Sequence, residues 1–243
     1  MNNEYFDMKK GFLLIGVAVM AVSAWAADQP KQGFGLQIGW AQPVLRLNTN
    51  TSKDSLATNI KMNGFKVGVV YDASYIAGFG NTIGLNYTFG TYNSGWKTKN
   101  TYGMPYPRSR QMITYHELEL FVDWQYKFEI AKETFLMLYT GPTIQCGLGF
   151  DMRVDKQDYE GQEIEPIRYS GYKNDDPDQT FKRINITWGV GAGFQYKRYF
   201  LRGGYDFGLI VPYANADFKN GYHTRGRLDQ WSIRIGMYLW YDE

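Results

Sequence analysis

The sequence predicts an all-β chain: an eight-stranded antiparallel up-and-down β-barrel that crosses a membrane, with short turns at one end and long loops at the other. Three observations predict it. Apolar and polar residues alternate over eight separate segments, the two-residue period of a strand with one greasy and one polar face. Connections between the segments alternate short and long. The polar faces mix glycine with charges of both signs, which suits a narrow interior where charges neutralise one another.

The clearest segment is "RINITWGVGAGFQYK", residues 183–197. Ile184, Ile186, Trp188, Val190, Ala192, Phe194 and Tyr196 hold one parity; Arg183, Asn185, Thr187, Gly189, Gly191, Gly193 and Gln195 hold the other. The glycine spacing G-x-G-x-G is not the G-x-G-x-x-G of a dinucleotide site, and no helix follows it. An eight-stranded barrel has an interior just wide enough for side chains to fill. Gly189, Gly191 and Gly193 are therefore expected to make room for long side chains that cross the interior.

The other strands follow in order. The first sets Phe34, Leu36, Ile38 and Trp40 against Gly35, Gln37 and Gly39, with Pro43 marking a bulge or edge. The second sets Phe65, Val67, Val69 and Tyr71 against Lys66, Gly68 and Asp72. The third sets Ile83, Leu85, Tyr87 and Phe89 against Gly84, Asn86, Thr88 and Gly90. In the fourth, Leu118, Leu120, Val122, Trp124 and Tyr126 oppose Glu117, Glu119, Asp123 and Gln125.

The fifth puts Leu136, Leu138, Ile144, Cys146, Leu148 and Phe150 outside and Thr143, Gln145, Gly147 and Gly149 inside. After the sixth, already described, the seventh sets Leu201, Tyr205, Phe207 and Leu209 against Arg202, Gly204, Asp206 and Gly208. The eighth sets Trp231, Ile233, Ile235, Met237, Leu239 and Tyr241 against Ser232, Arg234, Gly236 and Tyr238. The even-numbered connections, "ASYIAGFGN", "EIAKE" and "KRY", are short; the odd-numbered ones are longer, the fifth running from about Asp151 to Phe181.

A soluble sandwich or lipocalin would bury the apolar faces and hold its ligand in an apolar interior. Two features put lipid outside instead. Lys66, Arg183, Arg202 and Arg234 share the polar face with Asp72, Glu117, Glu119, Asp123 and Asp206, an expected ion-pair network filling the lumen. Outward aromatics gather near the short turns: Phe34, Tyr71, Trp124, Tyr126, Phe194, Tyr196 and Tyr241 form an expected girdle at one membrane interface.

The start of the chain agrees with export. Lys9 and Lys10 precede an apolar run, Gly11 to Val22, and Ala24-Trp25-Ala26 has the small-x-small form of a cleavage site. Residues 1–26 read as a secretory signal peptide and 27–243 as the barrel domain. Glu4 and Asp7 are out of place in a positive leader, so Met8 competes with Met1 as the start. Cys146 is the single cysteine, which excludes a disulfide within the chain. Mean hydropathy is −0.42 and no mature segment has the apolar length of a membrane helix, so a hydropathy scan alone would read the chain as soluble. The sequence pI of 8.4 and the local character of the basic charge exclude nucleic acid as a partner.

No catalytic pattern in the sequence is complete. His116 has outward parity on the fourth strand, but the position two residues on is Leu118; beside His223 the matching position is Arg225. Ser109 and Ser232 are partners only through tertiary proximity. Glu117 and Glu119 point the same way, as an acid/base pair would, but arginines and Lys66 share their face and ion pairing accounts for them. "NDDPD", residues 174–178, lacks the spacing and closing glutamate of a calcium loop. No catalytic residue, metal or cofactor is assigned.

The loops carry what remains. Residues 93–111 hold Lys97, Lys99, Arg108 and Arg110 with no acid, beside Trp96. Residues 151–181 hold nine acids against four bases. The two loops either pair with each other and cap the barrel, or the basic one, with Trp96, Lys97, Lys99, Arg108 and Arg110, grips anionic lipopolysaccharide or a partner.

"GVGAGFQYKRYFLRGGYDFGL", residues 189–209, resembles the penultimate hairpin of small outer-membrane β-barrel proteins labelled PorT-like, relatives in form of the OmpX and OmpA barrels. "RIGMYLWY", residues 234–241, resembles the last-strand signal that the barrel-assembly machinery recognises, although Asp242 and Glu243 follow the aromatic. The resemblance implies a bacterial outer-membrane location and contact with outer-membrane lipid and lipopolysaccharide. It brings no activity. The expectation is a non-enzymatic, surface-exposed structural or interaction protein with an extracellular or periplasmic protein partner. A lipid-A deacylase or acyltransferase and a small diffusion pore are the alternatives.

Overall fold

The computed structural model describes residues 31–50, 55–74, 78–98, 108–158, 160–172, 181–217 and 222–241. The leader, Lys99 and the "NDDPD" segment lie outside them. Among the described residues there are twelve strands: β1 (Lys31–Asn50), β2 (Ser55–Lys61), β3 (Asn63–Ser74), β4 (Phe79–Asn93), β5 (Lys97–Thr98), β6 (Arg108–Ala131), β7 (Thr134–Gln157), β8 (Glu163–Ser170), β9 (Ile184–Tyr196), β10 (Tyr199–Gly208), β11 (Tyr213–Asp217) and β12 (Tyr222–Tyr241).

Eight of them make the wall. Antiparallel pairing runs β12-β10-β9-β7-β6-β4-β3-β1, and β1 then pairs with β12 from Gly33↔Tyr241 to Asn50↔His223. That last ladder closes the sheet and removes its edges, the condition for backbone polar groups to sit in lipid. The eight predicted strands are these eight.

The other four short strands continue wall strands beyond local breaks. β2 runs on from β3 past Met62, whose N–H donates to the Pro43 carbonyl at 2.9 Å. β5 follows β4 after Gly95, at φ 65°. β8 and β9 both pair with β7, and β10 and β11 both pair with β12. At the loop end the wall thus divides into two sheets, β2-β1-β12-β11 and β5-β6-β7-β8. Residues 108–111, 151–157 and 163–170, expected in loops, are strand; charges on both faces there hide the alternation that marks the wall.

At the other end the turns are tight. Lys132-Glu133 joins β6 to β7 and Lys197-Arg198 joins β9 to β10, with Glu133 and Lys197 in the left-handed region at φ 58° and 52°.

Leu36, Ile38, Val67, Leu120, Ile144 and Ile235 stand exposed on the outside, while the largest buried side chains include Lys66, Gln145, Gln195, Gln230, Glu117 and Glu119. A water-soluble barrel would show the reverse. The lumen is layered: Val70, Phe121, Met137, Phe200 and Tyr238 cluster near the turns, and Leu45, Ile60, Met62, Ile113, Tyr115, Phe150 and Leu228 near the loop end. Lys66, Glu117 and Glu119 lie between the two clusters, and Asp72 with Lys127 lies toward the turns.

Two bulges overturn predicted directions. Between His116↔Gly149 and Glu117↔Gly147 an extra residue, Leu148, enters β7. Leu148 stays outside, and Phe150 turns into the lumen, where it packs on Tyr115 and stacks on Phe181. Between Phe34↔Trp240 and Gly35↔Tyr238 the extra residue is Leu239. Leu239 and Trp240 both face out, and Tyr241 turns inward to stack on Tyr238, ring centroids 5.0 Å apart. An extra residue reverses the parity of everything beyond it.

Candidate functional site

The lumen is a set of buried polar hubs fixed by strand register. At the centre, Lys66 on β3 reaches past β4 to place Nζ 2.6 Å from Glu119 Oε2 on β6. Asn86, Thr88 and Gln230 also donate to Glu119, while Tyr115 Oη and Gln230 Nε2 donate to Glu117. Beside this hub, Arg202 pairs with Asp123 at 2.8 Å and lies over the Tyr139 ring at 4.1 Å. Arg234 lies over the Phe121 ring and reaches the Tyr139 hydroxyl at 3.4 Å. Buried charges are tolerable only with such partners.

Near the turns, Asp72 accepts from Lys127 Nζ at 3.0 Å, Gln125 Nε2 at 2.8 Å and Tyr238 Oη at 2.5 Å. Lys127 was not among the expected lumen charges, although it continues the inward parity of Asp123 and Gln125 by one more step.

The glycines of β9 shape this interior. A Cβ on Gly189 would stand 2.5 Å from Asp206 Oδ1, and one on Gly191 would stand 2.2 Å from Tyr139 Cζ. One on Gly193 would stand 2.8 Å from the end of Met137 and 3.3 Å from Arg202 Cγ. The space that these glycines leave is filled by the network's own side chains.

Of the residues grouped as a lumen network, Lys66, Asp72, Glu117, Glu119, Asp123, Arg202 and Arg234 are buried inside, and Asp206 projects inward against Gly189. Arg183 does not join them. It is exposed at the loop end, donates to the Gly147 and Leu148 carbonyls and lies over the Tyr172 ring at 4.8 Å. β9 begins one residue later, so the alternation does not extend to it.

Phe34, Tyr71, Tyr126, Phe194 and Tyr196 stand exposed on the outer wall toward the turns. Trp124 is half-buried against Trp188, with centroids 5.7 Å apart. Tyr241 leaves the outer wall through the bulge, and Trp240 stands there instead.

At the loop end, Trp96, Lys97, Arg108 and Arg110 gather where β5 meets β6. The Arg110 guanidinium stacks 4.9 Å over Trp96 and pairs with Asp155 at 2.6 Å, and Arg153 pairs with the same carboxylate at 2.6 Å. The basic and acidic segments therefore meet here across the β6–β7 ladder. The hydrogen bonds from Arg110, then Arg153, hold the Asp155 carboxyl below the usual carboxylate range.

His116 shares a hydrogen bond with the Tyr87 hydroxyl at 2.6 Å and packs against Phe89. Its partner is a phenol on the outer wall, not the serine of an acyl-transfer site. Among the described residues no group of histidine, cysteine and carboxylate side chains could hold a metal.

No curated protein matches the chain. Among solved structures, Ail, the attachment invasion locus protein of Yersinia pestis, in complex with the heparin analogue sucrose octasulfate, aligns at TM-score 0.37 and 11% identity, covering 87% of this chain and 100% of that one. Neisserial surface protein A aligns at TM-score 0.35 and 13% identity, over 84% of this chain and 96% of that one. The translocator domain of the autotransporter NalP from Neisseria meningitidis aligns at 0.34 and 10%, over 96% and 97%. A family model described as an outer membrane protein beta-barrel domain matches residues 33–211. That span runs from the start of the first wall strand through the seventh. The chain is a member of the outer membrane protein beta-barrel domain family.

Proposed function

We propose that this protein is a non-enzymatic surface barrel whose wall is an anchor and whose working part is the pair of sheets above the loop-end rim. One observation carries this reading: the wall strands run on beyond the apolar band as two paired, charged sheets, over a lumen filled by hydrogen-bonded side chains. Rigid projecting sheets present residues to a partner with less ordering cost than free loops. The Arg110-Asp155-Arg153 cluster with Trp96, on the β5-β6-β7-β8 sheet, offers cations and an aromatic face to an anionic surface or a protein.

A diffusion pore is disfavoured by the side chains that span the lumen, and a lipid enzyme by the Tyr87 partner of His116. The test is protease treatment of intact cells with mass spectrometry of the released peptides. Release of fragments from residues 151–172, with wall strands protected, supports the reading. Complete protection in intact cells, with digestion once the outer membrane is opened, sinks it.

A further inference from the structure

The outer wall between β1 and β12 carries a charged cluster that the lumen network does not use. Trp231 and Trp240 stand exposed at the two ends of the apolar face of β12. Nine residue steps separate them, about 30 Å along the strand and about 23 Å along the membrane normal at the usual barrel tilt, close to the height of an apolar band. Asp229, Arg227 and Arg225 are the next outward positions beyond Trp231. They fall about 5–15 Å beyond the band by the same rise, at the depth of lipid headgroups.

The cluster is pre-organised. Asp229 is fully buried, and both its oxygens are occupied. Oδ2 accepts from Arg46 Nε at 2.5 Å, the Tyr205 hydroxyl at 2.6 Å and an Arg227 terminal nitrogen at 3.1 Å; Oδ1 accepts from the Gly208 N–H at 2.9 Å and pairs with Arg227 Nε at 3.0 Å. Arg46 and Arg227 are also register partners on adjacent strands. One carboxylate thus holds two guanidiniums in place while 43% and 47% of their side chains stay exposed. Arg225 and Lys61 stand exposed on the same face. Among the described side chains of β1, β2 and β12 on that face, Asp229 is the only acid against four cations.

We propose that Arg46, Arg227 and Arg225 form a binding site for the phosphate of an anionic membrane lipid in the loop-side leaflet. Guanidinium forks match phosphate oxygens two at a time, and Asp229 with Tyr205 fixes their direction in advance. The apolar wall below, with Trp231, Ile233 and Trp40 exposed, receives the acyl chains of the same lipid. The site belongs to the barrel wall and does not depend on what the projecting sheets bind.

The test is native mass spectrometry of the folded, detergent-purified barrel with phosphatidylglycerol or phosphatidylcholine of identical chains, with and without inorganic phosphate. Folding of every variant is checked by the gel shift between heated and unheated samples. Wild type is expected to retain phosphatidylglycerol at least about tenfold better, from three uncompensated cations at the surface. R227Q and R225Q are each expected to lose most of that preference. R225Q leaves every Asp229 hydrogen bond in place and so stands if R227Q does not fold. K132Q, in the turn between β6 and β7 at the opposite end of the barrel, is expected to keep it.

Equal retention of the two lipids by wild type overturns the proposal. So does equal loss in K132Q, which would mean diffuse charge. Displacement of phosphatidylglycerol by inorganic phosphate at matched concentration would assign the site to free phosphate and overturn the lipid reading.

Discussion

Lys66 Nζ and Glu119 Oε2 meet 2.6 Å apart inside the lumen, on strands β3 and β6 that β4 separates, and both side chains are almost fully buried. Each charge is tolerated only because the other is there. Lys66→Met leaves the Glu119 carboxylate with neutral donors alone and is expected to destabilise the barrel by about 3–5 kcal/mol. Adding Glu119→Gln should recover much of that loss, because the stranded charge goes with it. Urea unfolding in lipid micelles, followed by the heated-versus-unheated gel shift, measures both; a double variant no better than the single one would contradict the pairing.

The β9 glycines should rank by what stands against them. Gly191→Ala drives a methyl into the Tyr139 ring and to 2.6 Å from the Gly203 carbonyl, so neither a side-chain nor a backbone shift alone relieves it. A loss of about 1–3 kcal/mol is expected, as for other overpacked interiors. Gly189→Ala meets chiefly the end of the Asp206 side chain and should cost less. Gly90→Ala, at 3.4 Å from Met62 and Pro43, should be nearly neutral. Unfolding midpoints of the three variants, compared side by side, give the order.

The bulge at Leu239 predicts that position 240 faces lipid and position 241 faces the lumen. Cys146 is the only cysteine, so a Cys146→Ala background allows single nitroxide labels at each. Label collision with oxygen dissolved in the bilayer should be high for Trp240→Cys and low for Tyr241→Cys. Strict alternation from Tyr238 predicts the opposite pattern.

Asp155 gives the loop-side sheet an acid limit. Its carboxyl is held below the usual range by Arg110 and Arg153, so the paired form is stabilised above the unfolded value, near pH 3.9. That stabilisation is lost as pH falls through the lower, folded value and is constant between about pH 5 and 8. Amide exchange in residues 150–157 should therefore rise at acid pH in the wild type. In Asp155→Asn exchange should be raised already at neutral pH, with this acid step gone. An acid step that persists in the variant would place its origin elsewhere.

The alternation of apolar and polar residues settled the number of wall strands, the face each turns to lipid along its regular stretch and most of the lumen charges. Lys66, Glu119, Arg202 and Asp123 could be placed inside because period-two patterning is local and survives wherever a strand stays regular. Three things depended on the tertiary structure. Phe150 and Tyr241 reversed direction at bulges, which arise from the fit between two neighbouring strands and leave no period in either one. Which cation meets which carboxylate followed from register and shear: Asp72 met Lys127, and Arg183 met backbone carbonyls. The Asp229 cluster was invisible because Arg46, Tyr205 and Arg227 lie far apart or on different strands, and only the β1–β12 and β10–β12 ladders bring their side chains to one carboxylate.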